Sequence, residues 1–139
     1  LHDALPISKF AFPIVVDGAH TKNSVKLTLE TWLEIYGGGG TLLFSCAEDK
    51  DVMAMAEYLA PHFNDIIITK TGGQKQSNLC KIEEAFAPIS NKLHRIDNTD
   101  LAIQKSLVIT ESAHSKLLVC GSFYLAASFL SSLSLSNFE

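Results

Sequence analysis

"FPIVVDGAHTKNSV", residues 12–25, runs from an unbroken apolar stretch through a small polar cluster into the start of a helical pattern. Ile14, Val15 and Val16 are β-branched and do not alternate with polar residues. A strand buried on both faces reads this way. Val25, Leu29, Trp32, Leu33 and Tyr36 then recur at helical spacing. That predicts a helix capped by Thr21 or Asn23 and ended by Gly37.

Outward from this unit the alternation repeats. "TLLFSC" (41–46), "DIIIT" (65–69) and "KLLVC" (116–120) are further apolar runs, and "LHRI" (93–96) is a weaker one. Helical patterns fill the gaps over residues 52–59 (with Pro61 beyond the stop), 77–86 and 99–113, the last with Ala102, Ile109 and Ala113 on one side. "SFYLAASFL" (122–130) reads as a final, mostly buried helix, and the Ser-rich residues 131–138 as a fraying tail. "GGGG" (37–40) reads as a flexible connection inside one domain. The order predicts an α/β fold of three layers with a mainly parallel sheet, right-handed crossovers and helices on both faces.

Composition sets the remaining bounds. A chain of 139 residues is one domain with room for one core. Apolar residues make up 47% and charged ones 19%, a globular balance. A net charge of −4 and scattered lysines lack the basic footprint of a nucleic-acid binder. No run reaches the ~18 apolar residues of a membrane span. Cys46, Cys80 and Cys120 are far apart and form no Cys-x-x-Cys pair, so no zinc or redox motif is expected. Cys46 and Cys120 close apolar runs and read as buried free thiols. An odd cysteine count suits a reducing compartment.

The chain opens without Met or a secretory pattern. "LHDALPIS" (1–8) resembles translated sequencing adapter and is read as a non-native leader, outside the fold. The domain is then 9–131, the tail 132–139, and the chain a fragment that lacks its own N-terminal part.

Ligands of open α/β sheets bind beyond the carboxyl ends of the strands. Four segments should therefore crowd one edge: Asp17, His20 and Thr21; "AEDKD" (47–51); "TKTGGQK" (69–75); and "GSFY" (121–124). Asp17 can take a ribose diol, or be satisfied by N–H groups of the following turn. His20 is a loop histidine three residues on. Glu48 and Asp49 suit a helix N-terminus, but Lys50 gains nothing from one, which points to an anion. Ser122 can cap a helix or, with nearby N–H groups, meet a carboxylate. "CGSFY" lacks the second glycine of a nucleophile elbow. No G-x-x-x-x-G-K-[ST] or G-x-G-x-x-G occurs.

"VVDGAHTKNS" (15–24), "LLFSCAEDKDV" (42–52), "IIITKT" (66–71), "AFAPISNKLHRIDNTDLAIQKSL" (85–107) and "LLVCGSFYLAASF" (117–129) stand in the order seen in folylpolyglutamate synthases. The chain resembles their C-terminal domain, of the Mur ligase family, over about residues 12–130. Thr21 stands where many bacterial members carry Asn. The resemblance implies a Rossmann-like domain of a cytoplasmic ATP-dependent ligase that joins L-glutamate to folate through an acyl phosphate. It implies ATP and Mg2+ held mostly by a separate N-terminal P-loop domain, with no metal site in this one. It implies no nucleic-acid or membrane partner. By motif match Asp17 contacts the ATP ribose, and His20 lies at the glutamate and reaction edge. Lys50, Ser122 and Tyr124 help hold glutamate. The alternatives are a Mur-type domain for another amino acid, or a non-catalytic nucleotide- or amino-acid-binding module.

Overall fold

A computed structural model describes residues 4–6, 10–71 and 76–136. Ile14, Val15 and Val16 are each no more than 2% exposed, as a two-faced strand requires. They form β2 (Ile14–Asp17), which follows a short β1 (Ala4–Pro6). Then come α1 (Lys22–Tyr36), β3 (Thr41–Phe44), α2 (Val52–Leu59), a 3₁₀ turn (Ala60–His62) and β4 (Asp65–Ile68). The chain continues through α3 (Leu79–Phe86), β5 (Leu93–Arg95), α4 (Thr99–Ser112), β6 (Leu117–Cys120) and α5 (Phe123–Ser136).

The strands stand in the order β1-β2-β6-β3-β4-β5. From β2 to β5 every pairing is parallel. Two apolar layers cover the sheet. Val25, Leu29 and Trp32 of α1, Met55 and Leu59 of α2, and Ile82 and Phe86 of α3 pack with Phe44 and Ile68 on one face. Ala102 and Ile103 of α4, and Leu125 and Phe129 of α5, pack with Leu43 and Val119 on the other. The three-layer α/β expectation is what the structure shows.

Four details depart from the sequence reading. Residues 4–6 fall within the expected leader, yet they pair antiparallel with β2, Ala4 opposite Asp17 and Pro6 opposite Val15. Pro6 is tolerated because the strand is at the edge. The Ser-rich tail does not fray at 131: α5 runs on to Ser136, held by Leu133, which is buried in the second layer. Residues 137–139 lie outside the described set.

The buried stripe of α4 is Ala102, Ile103, Ser106 and Thr110; Ala113 is exposed. The two hydroxyls enter the core because they are already satisfied. Ser106 Oγ donates to the Ile103 carbonyl and Thr110 Oγ1 to the Ser106 carbonyl, both at 2.7 Å.

The glycine run is not a loose connection. Gly39 N–H donates to the His62 carbonyl at 2.8 Å, and Lys116 Nζ donates to the carbonyls of Tyr36 and Gly38. At Gly40 (φ +94°) a Cβ would stand 2.8 Å from the Lys116 carbonyl oxygen, so this close crossing requires glycine.

Candidate functional site

The strand order explains which loops meet. β6 lies between β2 and β3, so the segments that leave these three strands are neighbours at their carboxyl ends. The segment after β4 is one strand further away. This is the crevice geometry of an open parallel sheet. His20 follows β2, Ala47 and Lys50 follow β3, and Gly121 to Tyr124 follow β6. All of them line one cavity of about 220 Å³. Thr69 and Thr71, after β4, are buried and do not line it; residues 72–75 of that expected segment lie outside the described residues.

The loop after β2 is fixed by hydrogen bonds that the polar cluster makes with itself. Thr21 is the N-cap of α1: its hydroxyl accepts from Ser24 N–H, and Ser24 Oγ accepts from Thr21 N–H. Of the two caps the sequence allowed, the helix uses Thr21. His20 is exposed, and its Nδ1 lies 3.1 Å from the Gly18 carbonyl oxygen. A carbonyl only accepts, so this bond places the proton on Nδ1 and leaves Nε2 of the neutral ring as an acceptor.

Asp17 is placed differently from its neighbour. It is 1% exposed and does not line the cavity. Oδ1 accepts from Ala19 N–H at 2.8 Å and Oδ2 from the Thr28 hydroxyl at 2.9 Å. These are the contacts expected of a turn carboxylate, with a helix hydroxyl as its second donor.

After β3 the chain turns before it enters its helix. Lys50 N–H donates to the Ala47 carbonyl at 3.1 Å, and Asp51 caps α2 through Ala54 N–H. Glu48 and Asp49 therefore sit in the turn rather than in the first helical turn, as the sequence had suggested. Lys50 is half-buried, and its ammonium makes no hydrogen bond or ion pair among the described residues. Lys22 pairs with Asp51 at 3.8 Å, joining the starts of α1 and α2 across an exposed gap. Cys46 lies buried at the end of the same apolar run. Burial pushes its thiol up to about 12, against the pull of Lys81.

After β6, Gly121 adopts φ +103° and donates its N–H to the Ala19 carbonyl at 2.8 Å. Ser122 is 3% exposed and caps α5, its Oγ accepting from Leu125 N–H at 3.2 Å. The N–H groups of Phe123 and Tyr124 have no acceptor within the helix. The sequence reading included Tyr124 but passed over Phe123, which is 64% exposed at the mouth of the cavity. Its position directly after a capping serine was the available signal, because the first turn of a helix projects beyond the packed layer.

A half-buried ammonium, a capped helix start and an imidazole thus converge on one small space, with apolar walls from Ala47 and Gly121. The arrangement suits a small anion bearing a second polar group. Among the described residues no three His, Cys, Asp or Glu side chains group to hold a metal, and no helix is long and apolar enough to cross a membrane.

Residues 7–123 match the family profile described as Mur ligase, glutamate ligase domain. The chain belongs to the Mur ligase family. A sequence search of curated proteins finds no match. The Mur ligase domain is similar in fold to E. coli FolC solved with DHPP and ADP, with a TM-score of 0.80 and 17% identity over 94% of this chain and 31% of that one. It is also similar to folylpolyglutamate synthase from Thermotoga maritima, with a TM-score of 0.79 and 16% identity over 95% of this chain and 30% of that one. A third similar fold is a bifunctional folylpolyglutamate synthase/dihydrofolate synthase solved with Mn, AMPPNP and L-glutamate. Its TM-score is 0.75, with 15% identity over 94% of this chain and 30% of that one. The chain thus spans less than a third of the length of these solved relatives.

Proposed function

We propose that this chain is the glutamate-holding domain of an ATP-dependent ligase that adds L-glutamate to a folate. The observation that carries the reading is Lys50, whose ammonium has no partner among the described residues, lining with Ser122 and the start of α5 a cavity of about 220 Å³. That volume lies below the ~300 Å³ at which drug-sized sites begin, and suits an amino acid. Membership of the glutamate ligase domain family supports the choice of amino acid. The folate synthase folds, one of them solved with L-glutamate, support the choice of acceptor.

The chain's own residues bind and orient. Lys50 holds one carboxylate, and the free N–H groups of α5 strengthen the same end electrostatically. Ser122 shapes the turn that presents those groups, and Tyr124 bounds the cavity beside it. His20 Nε2 accepts a proton from the glutamate amine as it attacks the acyl carbon, a role its Nδ1 bond to Gly18 prepares. Holding the amine in place supplies the proximity that amide formation needs. ATP and its divalent ion would supply the activating phosphoryl group; in this reading the folate carboxylate becomes an acyl phosphate, whose C–O bond to phosphate breaks and releases phosphate as the amine bonds to the acyl carbon. In this reading Asp17, buried and already accepting from Ala19 N–H and the Thr28 hydroxyl, does not reach the ribose. Asp17 is instead a positioning residue for the His20 loop. Without a phosphate-cradling loop, this chain alone makes no amide and hydrolyses no ATP.

The test is a titration of the isotope-labelled chain with L-glutamate, followed by amide shifts. Shifts confined to Lys50, Ser122 and their neighbours, weakened about tenfold or more by Lys50→Met, are expected. L-glutamate that binds elsewhere, or equally well to the Lys50→Met chain, would remove the assignment. In a complete ligase carrying this domain, Lys50→Met should raise KM for glutamate more than KM for ATP.

A further inference from the structure

The two faces of the sheet are covered unequally. Three helices lie on one face and two on the other, where α4 packs over β3 and β4. Strand alternation turns Asp65 to the two-helix face with Ile67, and His94 to the same face with Ile96. A groove of about 420 Å³ opens there, between the C-terminal half of α4 and the amino ends of β4 and β5. Its rim is opposite that of the Lys50 cavity, which lies beyond the carboxyl ends of the strands.

The charges in this groove are mostly of one sign. Lys92 arrives from the turn before β5, Lys105 from α4 and His94 from β5 itself. Neither ammonium has a hydrogen bond or ion pair among the described residues. Among those residues Asp65 is the one acid in the lining, and its Oδ1 lies 3.2 Å from His94 Nε2. A carboxylate only accepts, so this pairing puts a proton on Nε2 and turns the one negative charge towards the ring. Two ammoniums thus stand unopposed in a chain whose net charge is −4. The negative end of α4 does not offset them. Its carbonyls at Ile109, Thr110 and Glu111 accept from the N–H groups of Ala113, Ser115 and His114 in the closing turn.

We infer that this groove binds a small phosphate monoester, its dianion between Lys92 and Lys105 and its organic group against Val108 and Ile109. Lysine serves phosphate as a point charge. Cations that arrive from separate elements suit the divergent oxygens of a tetrahedral group better than the two oxygens of a planar carboxylate. Val108, 58% exposed, and Ile109 offer apolar surface beside the charged part. The groove is larger than a bare phosphate needs and falls within the ~300–1,000 Å³ of small-ligand sites. The inference does not rest on the glutamate reading, because the two spaces share no lining residue.

The test titrates the isotope-labelled 139-residue chain with n-butyl phosphate, inorganic phosphate and succinate at constant ionic strength. n-Butyl phosphate should shift the amides of His94, Lys105 and Val108 saturably, and inorganic phosphate should do so several-fold more weakly for want of the apolar contact. Lys92→Met and Lys105→Met, both at exposed positions, should each weaken n-butyl phosphate about tenfold. Amide positions elsewhere should match the parent's, which shows both variants to be folded. Shifts that never saturate, or equal binding to both Met variants, overturn the inference. So does succinate that binds as tightly as n-butyl phosphate, which would make the groove a general trap for anions. A saturable phosphate response here with no L-glutamate response at Lys50 would sink the glutamate reading and leave this one standing.

Discussion

Thr28 donates its hydroxyl to Asp17 Oδ2 at 2.9 Å, from the second turn of α1 to the end of β2. Both residues are 1% exposed. The bond ties the helix that follows the His20 loop to the strand that precedes it, so the loop is pinned at both ends. Thr28→Val removes the donor and leaves a buried carboxylate oxygen short of a partner. That costs ~1–3 kcal/mol, whereas Thr28→Ser should stay close to the parent. Denaturant midpoints of the three chains decide it; a Thr28→Val chain as stable as the parent would show the bond to be incidental.

Gly121 leaves no room for a side chain. A Cβ there would lie 2.2 Å from the Ser45 carbonyl oxygen and 2.5 Å from the Phe44 ring, at φ +103°. Backbone strain and overpacking each cost ~1–3 kcal/mol. In a domain of ordinary stability, Gly121→Ala should lower the melting temperature by many degrees. A melting curve unchanged from the parent would contradict the close approach of Gly121, just after β6, to Phe44 and Ser45 at the end of β3.

The cysteines divide into two kinds. Cys80 is exposed, whereas Cys46 and Cys120 are buried. A thiol reagent near neutral pH should therefore label Cys80 in the folded chain and reach the other two only on unfolding, which mass spectrometry counts directly. The buried pair also carries a pH signature. Burial raises Cys46 from 9.0 to about 12, and burial, then Asp17, raises Cys120. Above pH 9 the unfolded thiols lose protons that the folded ones keep. Stability should then fall as pH rises from about 9 towards 12, and be independent of these groups below that window. Cys46→Ala should flatten the slope; an equally steep decline would assign it elsewhere.

Lys116 ties the lower end of the sheet together by donating to the carbonyls of Tyr36 and Gly38. A cation at the C-terminal end of α1 also favours the helix dipole. Lys116→Met keeps the stem and removes both bonds, for an expected loss of ~1.5–3 kcal/mol. Hydrogen exchange should quicken first at Gly37 to Thr41. Unchanged protection there would show the glycine run to be held by the bonds of Gly39 N–H to the His62 carbonyl and of Asn64 N–H to the Gly40 carbonyl alone.

The fold was legible because its decisive elements are uniform. Runs such as Leu42 to Phe44 and Ile66 to Ile68 are apolar on both faces, and only a covered parallel sheet buries them all. The meeting of His20, Lys50 and Ser122 followed from strand order rather than from spacing in the chain. What escaped the sequence was polar. Ser106 and Thr110 count against a buried stripe unless their hydroxyls bond back to their own helix, and periodicity does not report that. That Asp17 takes a donor from Thr28, eleven residues on, could not be read from spacing either. Phe123 was hidden by its own character, since an apolar residue in an apolar helix is expected to face inward.

The antiparallel edge strand sets where labels can be attached. Because Ala4 pairs opposite Asp17, the start of β1 stands at the same rim as the cavity, and a label attached at Ala4 would compete with any ligand for access. The other terminus behaves differently. α5 starts at that rim and its 14 residues carry the chain ~20 Å away from it. Immobilisation for a binding assay should therefore be through the carboxyl end, where the surface of a sensor chip and the mouth of the cleft face in opposite directions.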